Sequence, residues 1–198
     1  VERYLRESWI PRLAPVSPQL ILCYIAEKVL GLPKSYWAWA DILEANKNGF
    51  WPYTPSTNLL YGLSEACDML FEEGLDKVFA RHTRFAEATR CAVRAWGLEV
   101  FCANPAALSS SLTTVLMPEG HDADKFRKIV LDNFDMSLGV GLAKLAGKVF
   151  RIGHLGDFNE LTLMGTLAGV EMGLTLAGVP HRPGGVAAAM DYLTSQLQ

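Results

Sequence analysis

The sequence predicts an α/β fold in which helices pack on one side of a small, mainly antiparallel sheet. Two observations lead to this fold class. Apolar or alternating segments of strand length follow Gly97, and helical segments with a three-four spacing of apolar residues lie before and after them. Their order, strand, strand, helix, strand, helix, helix, is typical of a layered domain. The 198 residues are 50% hydrophobic and 20% charged, which is enough apolar material for a buried core.

The N-terminal half contains one predicted strand and two predicted helices. The segment LILCYIA, residues 20–26, has the composition of a buried strand. After the loop FWPYTPSTN, the apolar residues of 59–71 share one helical face, and Gly74 ends that helix. A longer helix over 78–96 follows, and we expect the two helices to pack against each other. His82 lies on the apolar stripe of the second helix, where a hydrogen-bonded packing histidine is the favoured interpretation over a ligand or a base.

In the C-terminal half, segments with the pattern of strands alternate with segments that have the apolar spacing of helices. LEVFCA and SLTTVLM are predicted strands, separated by a turn-rich segment, and KVFRIGHLG contains a third. Between the second and third strands, Asp122 is positioned to cap a helix whose apolar residues share a face. Two further helices are predicted, over about 159–177 and 184–197.

Charge and hydropathy exclude two classes of partner. Eighteen basic and 21 acidic residues give a net charge of −3, so the chain lacks a cationic field for nucleic acid or anionic lipid. Residues 161–179 are almost uncharged, and Gly165, Gly169 and Gly173 follow a spacing typical of transmembrane contacts. Glu171 near the middle argues against a membrane span. We therefore expect a helix with a glycine face against a neighbour, and no membrane partner.

Known catalytic and metal-binding motifs are missing from the sequence. The four cysteines form no CxxC pair, which favours reduced thiols and a cytoplasmic location. The four histidines have no metal-ligand spacing, and GVGLAKLAGKVF departs from both the phosphate-loop and the dinucleotide patterns. The serines at 109–111 lack a nucleophile elbow. No metal site is predicted.

Arg151 is unusual because it lies in the middle of an apolar strand, VFRIG. A buried guanidinium needs an anionic partner, and its fork geometry suits a substrate carboxylate. Two other interpretations stay open at this point. The strand could alternate and direct Arg151 to water, or Asp157 or Glu160 could be its internal ion-pair partner.

Three separated blocks resemble the C-terminal half of the class V aminotransferases, and the serine–glyoxylate enzymes among them in particular. The blocks are YTPSTNLLYGL, FEEGLDKVFARH and KVFRIGHLGDFNELTLMGTLAGVEMGLTLAGVPH, in the family's order. The resemblance runs from about residue 35 to 192. It implies the fold-type-I architecture of pyridoxal-phosphate enzymes, with a large cofactor domain followed by a small α/β domain.

The resemblance also implies roles for individual residues. Arg151 matches the arginine that binds the α-carboxylate of the amino acid or of glyoxylate. Thr54 matches a threonine that contacts the phosphate of pyridoxal 5'-phosphate bound to the other subunit of a homodimer. Tyr53 and Asn58 are weaker candidates for the same region. The family's substrates are a small amino acid and a 2-oxo acid.

The sequence departs from the family at the lysine that binds the cofactor as a Schiff base. A gapless alignment places Arg12 in its register, and a guanidinium has no free amine lone pair for that bond. The nearest lysines, Lys28 and Lys34, match other family positions. We therefore predict no catalytic residue in this chain, and we interpret 1–33 as a poorly matching remnant of the large domain, 34–97 as a helical connecting and dimer region, and 98–198 as the small domain.

Two hypotheses for the function follow. In the first, the chain is the C-terminal part of an aminotransferase that moves an amino group from serine or alanine to glyoxylate, inactive alone and completed by an N-terminal half. In the second, it is a truncated, catalytically dead paralogue that serves as a binding or dimerisation module. A gene-model error within the first thirty residues is a third explanation of the missing lysine.

Overall fold

A computed structural model describes residues 39–196 of the chain. The chain divides into two compact units, Val1–Ser64 and Glu65–Gln198. The predicted strand over 20–26 and the positions Arg12, Lys28 and Lys34 lie outside the described residues.

Six helices and four strands make up the described part of the chain. In chain order they are α1 (Trp39–Asn46), α2 (Thr57–Glu73), α3 (Leu75–Ala95), β1 (Glu99–Val100), β2 (Leu112–Leu116), α4 (Ala123–Phe134), β3 (Gly139–Val140), β4 (Val149–Gly153), α5 (Glu160–Leu176) and α6 (Gly185–Ser195). Two short 3₁₀ turns, Pro105–Ala107 and Ala143–Leu145, complete the set. The predicted order of strands and helices after Gly97 is confirmed, with β3 as an addition.

The four strands form one antiparallel sheet in the order β1-β2-β4-β3. Its helix-covered face carries Val115, Phe150 and Ile152, all fully buried. Because neighbours along a strand point to opposite faces, Arg151 belongs to the other face. The predicted fold class, helices on a mainly antiparallel sheet, is confirmed.

The core joins this sheet face to α3, α4, α5 and α6. Its largest fully buried side chains include Trp96, Phe85, Phe126 and Phe150, and the rings of the last two lie 4.7 Å apart. Each aromatic side chain of this size removes a large apolar area from water, so these four residues make large individual contributions to the stability of the unit.

Asp122 caps α4 as predicted. Its carboxylate accepts hydrogen bonds from the backbone N–H groups of Asp124, at 2.7 Å, and Lys125, at 3.1 Å. These bonds satisfy two of the free N–H groups of the first turn, and they lower the pKa of the Asp122 carboxyl.

The glycine face predicted for α5 is confirmed at two of its three glycines. A Cβ added at Gly173 would meet Val130 and Phe126 of α4, and one at Gly169 would meet Met136. Gly165 is exposed and has open space around it. Within residues 39–196, no helix combines the length and the hydropathy that a membrane crossing requires.

Glu171 has a structural role that the sequence did not indicate. Its carboxylate accepts hydrogen bonds from the Trp96 indole at 2.9 Å and from the backbone N–H groups of Gly184, at 2.6 Å, and Val186, at 3.0 Å. Burial disfavours the charged carboxylate, but these three donors outweigh that effect, so the pKa of Glu171 is lowered. A single carboxylate thereby connects α5, the end of α3 and the N-terminus of α6.

The predicted packing of α2 against α3 does not form a buried interface, and the two helices are joined near their shared end by the ion pair of Glu73 with Arg81. None of the residues of α2 is buried, although its apolar residues recur at helical spacing. The apolar residues of α3 instead face the sheet, α5 and α6. Periodicity identifies an apolar face without identifying what covers it, which explains why the sequence suggested a more extensive contact.

Candidate substrate-binding site

Arg151 lies at the centre of the sheet, on the face opposite the helices. Its strand, β4, runs between β2 and β3, and Arg151 faces Thr114 on one side and Gly139 on the other. The side chain is half-buried. The alternating pattern of β4 thus excludes Arg151 from the core but leaves it partly covered, so the interpretation as a fully solvated arginine is not supported.

The guanidinium of Arg151 has no anionic partner among residues 39–196. Its Nε atom is buried and makes no hydrogen bond. The internal partner considered from the sequence, Glu160, pairs with Arg84 instead, and no ion pair joins Asp157 to Arg151. A buried N–H group without an acceptor is costly, so this guanidinium is available for an external carboxylate or phosphate.

The loop that follows β4 is held in place by Arg81 of α3. The Arg81 guanidinium donates to the carbonyl oxygens of Gly156, at 2.9 Å, and Phe158, at 3.0 Å. Its Nε and Nη2 atoms bind both carboxylate oxygens of Glu73, at 2.6 and 2.7 Å. The hydrogen bond from Arg81 lowers the pKa of Glu73, and that from Glu73 raises the pKa of Arg81. Sequence reasoning missed Arg81, although it lies within the block FEEGLDKVFARH.

His82 fixes the same loop from the next position in α3. Its Nδ1 lies 2.7 Å from the carbonyl oxygen of Val78, and its Nε2 accepts a hydrogen bond from the Gly156 N–H at 3.0 Å. Because a carbonyl only accepts and an amide only donates, Nδ1 carries the proton. Both ring nitrogens are satisfied, which agrees with the predicted packing role of this histidine.

His154, at the start of the loop, is fully buried. Its Nε2 lies 2.9 Å from the hydroxyl oxygen of Thr113 on the neighbouring strand. Burial lowers the pKa of His154 to about 4, so the ring is neutral at pH 7. Neither its burial nor its pairing with Thr113 could be predicted from the sequence around it.

Tyr53 and Thr54 are brought together in the N-terminal unit. They line one cavity of about 300 Å³ with Ile42, Trp51 and Ser56. Tyr53 is half-buried and Thr54 is exposed. Asn58, the weaker candidate, is exposed on the first turn of α2 and does not line this cavity. Arg151 belongs to the C-terminal unit and is described separately.

Between Trp39 and Gln196, no group of three or more histidine, cysteine, aspartate or glutamate side chains lies close enough to hold an ion. The described cysteines, Cys67, Cys91 and Cys102, are free thiols.

Comparison with known proteins places these observations in a family context. No family model matches the chain. The serine–glyoxylate aminotransferase of Methylorubrum extorquens is 51% identical over 163 residues, which are 82% of this chain and 40% of that protein. The serine–glyoxylate aminotransferase of Arabidopsis thaliana is 50% identical over 166 residues, which are 83% of this chain and 41% of that protein.

A solved structure gives the same picture for the fold. The ureidoglycine–glyoxylate aminotransferase of Bacillus subtilis matches with a TM-score of 0.72 and 25% identity, over 90% of this chain and 46% of that one. The chain spans about two fifths of the length of the curated relatives it matches. In sequence and in fold, it corresponds to the C-terminal portion of the class V pyridoxal-phosphate-dependent aminotransferases.

Proposed function

We propose that this chain is the C-terminal portion of an aminotransferase that transfers an amino group from serine or alanine to glyoxylate. The observation that carries the proposal is Arg151, a half-buried guanidinium with a buried, unpaired Nε in the part of the chain that matches these enzymes. A small amino acid and glyoxylate share one feature, a carboxylate next to the reacting carbon. One arginine can therefore bind both substrates in turn.

The described residues fit the anionic ends of cofactor and substrate. Thr54 offers an exposed hydroxyl that has no hydrogen-bond partner among residues 39–196, and it lies beside Tyr53 at the same cavity. A hydroxyl of this kind suits a phosphate oxygen, and we assign Thr54, with Tyr53, to the phosphate of pyridoxal 5'-phosphate. The lysine that would hold the aldehyde end is not assigned in this chain, since Arg12 occupies its aligned position.

In this proposal, the residues of the chain bind and orient the substrate. Pyridoxal phosphate, when bound, supplies the electron sink for transfer of the amino group. Arg151 receives the substrate carboxylate through two parallel N–H···O bonds, which fix both its position and its rotation. Arg81 and His82 hold the loop that follows the arginine strand, and they thereby limit the movement of that strand's end.

Complementation with an N-terminal half tests the proposal. The purified chain alone should not convert serine and glyoxylate to hydroxypyruvate and glycine. Mixed or co-expressed with the N-terminal half of a serine–glyoxylate aminotransferase, it should restore that reaction. Absence of activity in a stable complex of the two halves would contradict the proposal.

Replacement of Arg151 by lysine tests whether this residue binds the substrate carboxylate. Arg151→Lys keeps the positive charge but loses the fork, so it should lower kcat/KM for glyoxylate in the complemented enzyme by about 10- to 100-fold. Arg94→Lys is the matched control, because Arg94 is an exposed arginine on α3 that pairs with Glu87 on the same helix. Equal losses in both variants would remove Arg151 from the proposal.

Borohydride trapping tests whether any lysine of this chain binds pyridoxal phosphate covalently. Pyridoxal phosphate is added to the purified chain, reduced with borohydride, and the protein is mapped by mass spectrometry. We expect no site-specific adduct. A single adduct at Lys28 or Lys34 would show that the chain itself binds the cofactor covalently.

The second candidate function, a binding or dimerisation module without catalysis, is favoured by the apolar surface of α2. Its side chains at Leu59, Leu63 and Phe71 are 74%, 59% and 68% exposed. Exposed apolar patches of this kind mark interaction sites. A homodimer through this face is compatible with both candidates, and only restored activity on complementation separates them. A cytoplasmic location is part of the same proposal.

A further inference from the structure

Gly139 lies directly opposite Arg151 in the pairing of β3 with β4. Paired residues of antiparallel strands point to the same face, so any side chain at position 139 would occupy the space beside Arg151. A Cβ at Gly139 would lie 2.8 Å from the Cβ of Arg151, 3.0 Å from its Nε and 3.5 Å from its Cζ. The first of these atoms is fixed by the backbone and cannot move away by rotation of the side chain.

These distances describe how the arginine side chain lies. Its Nε and Cζ lie close to the space that a side chain at position 139 would fill, so the guanidinium extends toward β3 instead of standing away from the sheet. The other neighbour, Thr114 of β2, carries a side chain. The Nε of Arg151, which is buried and has no hydrogen-bond partner, thus lies 3.0 Å from the place that a Cβ of residue 139 would occupy.

Two contacts hold the strand that carries Gly139. The preceding residue, Leu138, is buried in the core, and its carbonyl oxygen accepts a hydrogen bond of 2.8 Å from Nε of Arg127. Arg127 also pairs with Asp124 at 3.0 Å. The backbone beside Arg151 is thus fixed from α4, which makes it a defined surface for the arginine to lie on.

We propose that Gly139 is a positioning residue for Arg151, whose missing side chain lets the guanidinium lie flat over β3 with its terminal nitrogens available to the substrate carboxylate. The inference rests on the proposed carboxylate-binding role of Arg151. Gly139 does not contact the substrate and acts only through the arginine. Alanine at this position would tilt the guanidinium or separate the two strands.

Binding of glycolate to the purified chain provides the first test. Glycolate has the carboxylate of glyoxylate but no aldehyde that reacts with amines. Its binding is followed through the arginine Nε–H resonances of the ¹⁵N-labelled chain. Gly139→Ala should weaken glycolate binding about tenfold, a loss within the range of one charge-assisted hydrogen bond. Wild-type affinity in a folded Gly139→Ala variant would overturn the proposal.

Gly153→Ala is the matched control. Gly153 lies in the same strand as Arg151, and a Cβ there meets only Leu155, at an ordinary contact distance of 3.9 Å. It should bind glycolate as the wild type does. If Gly153→Ala and Gly139→Ala lose affinity equally, the effect belongs to glycine replacement in the sheet and the proposal is wrong.

A double variant tests whether Gly139 acts through the arginine. In an Arg151→Lys background, Gly139→Ala should cause little further loss of glycolate affinity, since the planar group it positions is gone. An additional tenfold loss in that background would contradict the inference. If Arg151→Lys binds glycolate as tightly as the wild type does, the proposed function of Arg151 fails. If Arg151→Lys loses glycolate affinity and Gly139→Ala does not, only the positioning role of Gly139 is refuted.

A measurement on the wild-type chain covers the case in which Gly139→Ala does not fold. The geometry predicts nuclear Overhauser effects between the α protons of Gly139 and the Nε proton of Arg151. Where Gly139→Ala does fold, it should raise KM for glyoxylate in the complemented enzyme more than it lowers kcat. Absence of the Overhauser effects in the folded wild-type chain would overturn the proposal.

Discussion

His154 couples the stability of the C-terminal unit to pH. Its pKa is about 4 in the folded protein against an ordinary value of 6.5, so the unfolded chain binds the proton more readily. The stability that the neutral, buried ring of His154 provides is fully present above pH 6.5 and is lost as the pH falls toward 4. At pH 5 the free energy of unfolding should be lower than at pH 7 by about 2 kcal/mol from this residue.

The measurement is chemical denaturation at several pH values. In a His154→Gln variant, an amide replaces the ring and can still reach Thr113, so the part of the pH dependence between 6.5 and 4 should disappear. A variant with the same pH dependence as the wild type would show that His154 is not the group responsible.

Glu171 is the second residue for which we predict a change in the free energy of unfolding. Glu171→Ala leaves the indole of Trp96 and the N–H groups of Gly184 and Val186 without their acceptor, and it should lower the free energy of unfolding by about 2 kcal/mol. Glu119→Ala, at an exposed turn, is the control and should change it by less than about 0.5 kcal/mol. Thermal or urea unfolding measures both.

The site residues differ in how far the sequence indicates them. Arg151 can be identified because a charged residue interrupts an apolar strand, and the family resemblance gives it a role. The bonds of Glu171 to Trp96 and of Arg81 to the loop cannot be found this way, since these partners lie 75 residues away or are backbone atoms that have no sequence signature. Gly139 is ordinary in sequence, and only its register with Arg151 shows what it does.

Among the elements, α5 offers a test within a single helix. Gly173 faces Val130 and Phe126 of α4, so Gly173→Ala would force the two helices apart and should lower the free energy of unfolding by about 1 to 3 kcal/mol. Gly165→Ala in the same helix meets no atom within 4 Å and should be neutral or stabilise by up to about 1 kcal/mol. Equal effects at the two positions would exclude close packing as the cause.

Most of the elements that sequence reasoning found have a pattern that repeats over enough residues to be detected. The helices α2 to α6 and the strands β2 and β4 each extend over several residues of consistent pattern. The strand β1 has two residues, Glu99–Val100, within the longer predicted segment LEVFCA. The strand β3 also has two residues, too few for any alternation, and its existence depends on the pairing partner β4. The helix α1 was not predicted either, and none of its residues is buried.

At the scale of the whole molecule, the main prediction concerns self-association. The apolar face of α2 should make the chain associate in a concentration-dependent way. Leu59→Gln combined with Leu63→Gln should shift the chain toward monomer in sedimentation velocity, since both side chains are exposed in one copy.

Leu161→Gln provides the control for that experiment. Leu161 is 83% exposed and belongs to a different helix, α5. It should leave the sedimentation distribution unchanged. If all variants sediment alike, the face of α2 does not mediate association of the chain with itself.

The hydrogen bonds of Arg81 have a consequence for the order of folding. They join α3 to a loop 75 to 77 residues further along the chain, so closing this contact requires a long stretch of chain to be organised first. The loop that follows β4 should therefore acquire protection against amide exchange late in refolding, after α3 has docked. A half-folded chain would contain most of its helices but would lack the fixed loop next to the carboxylate site that we propose at Arg151.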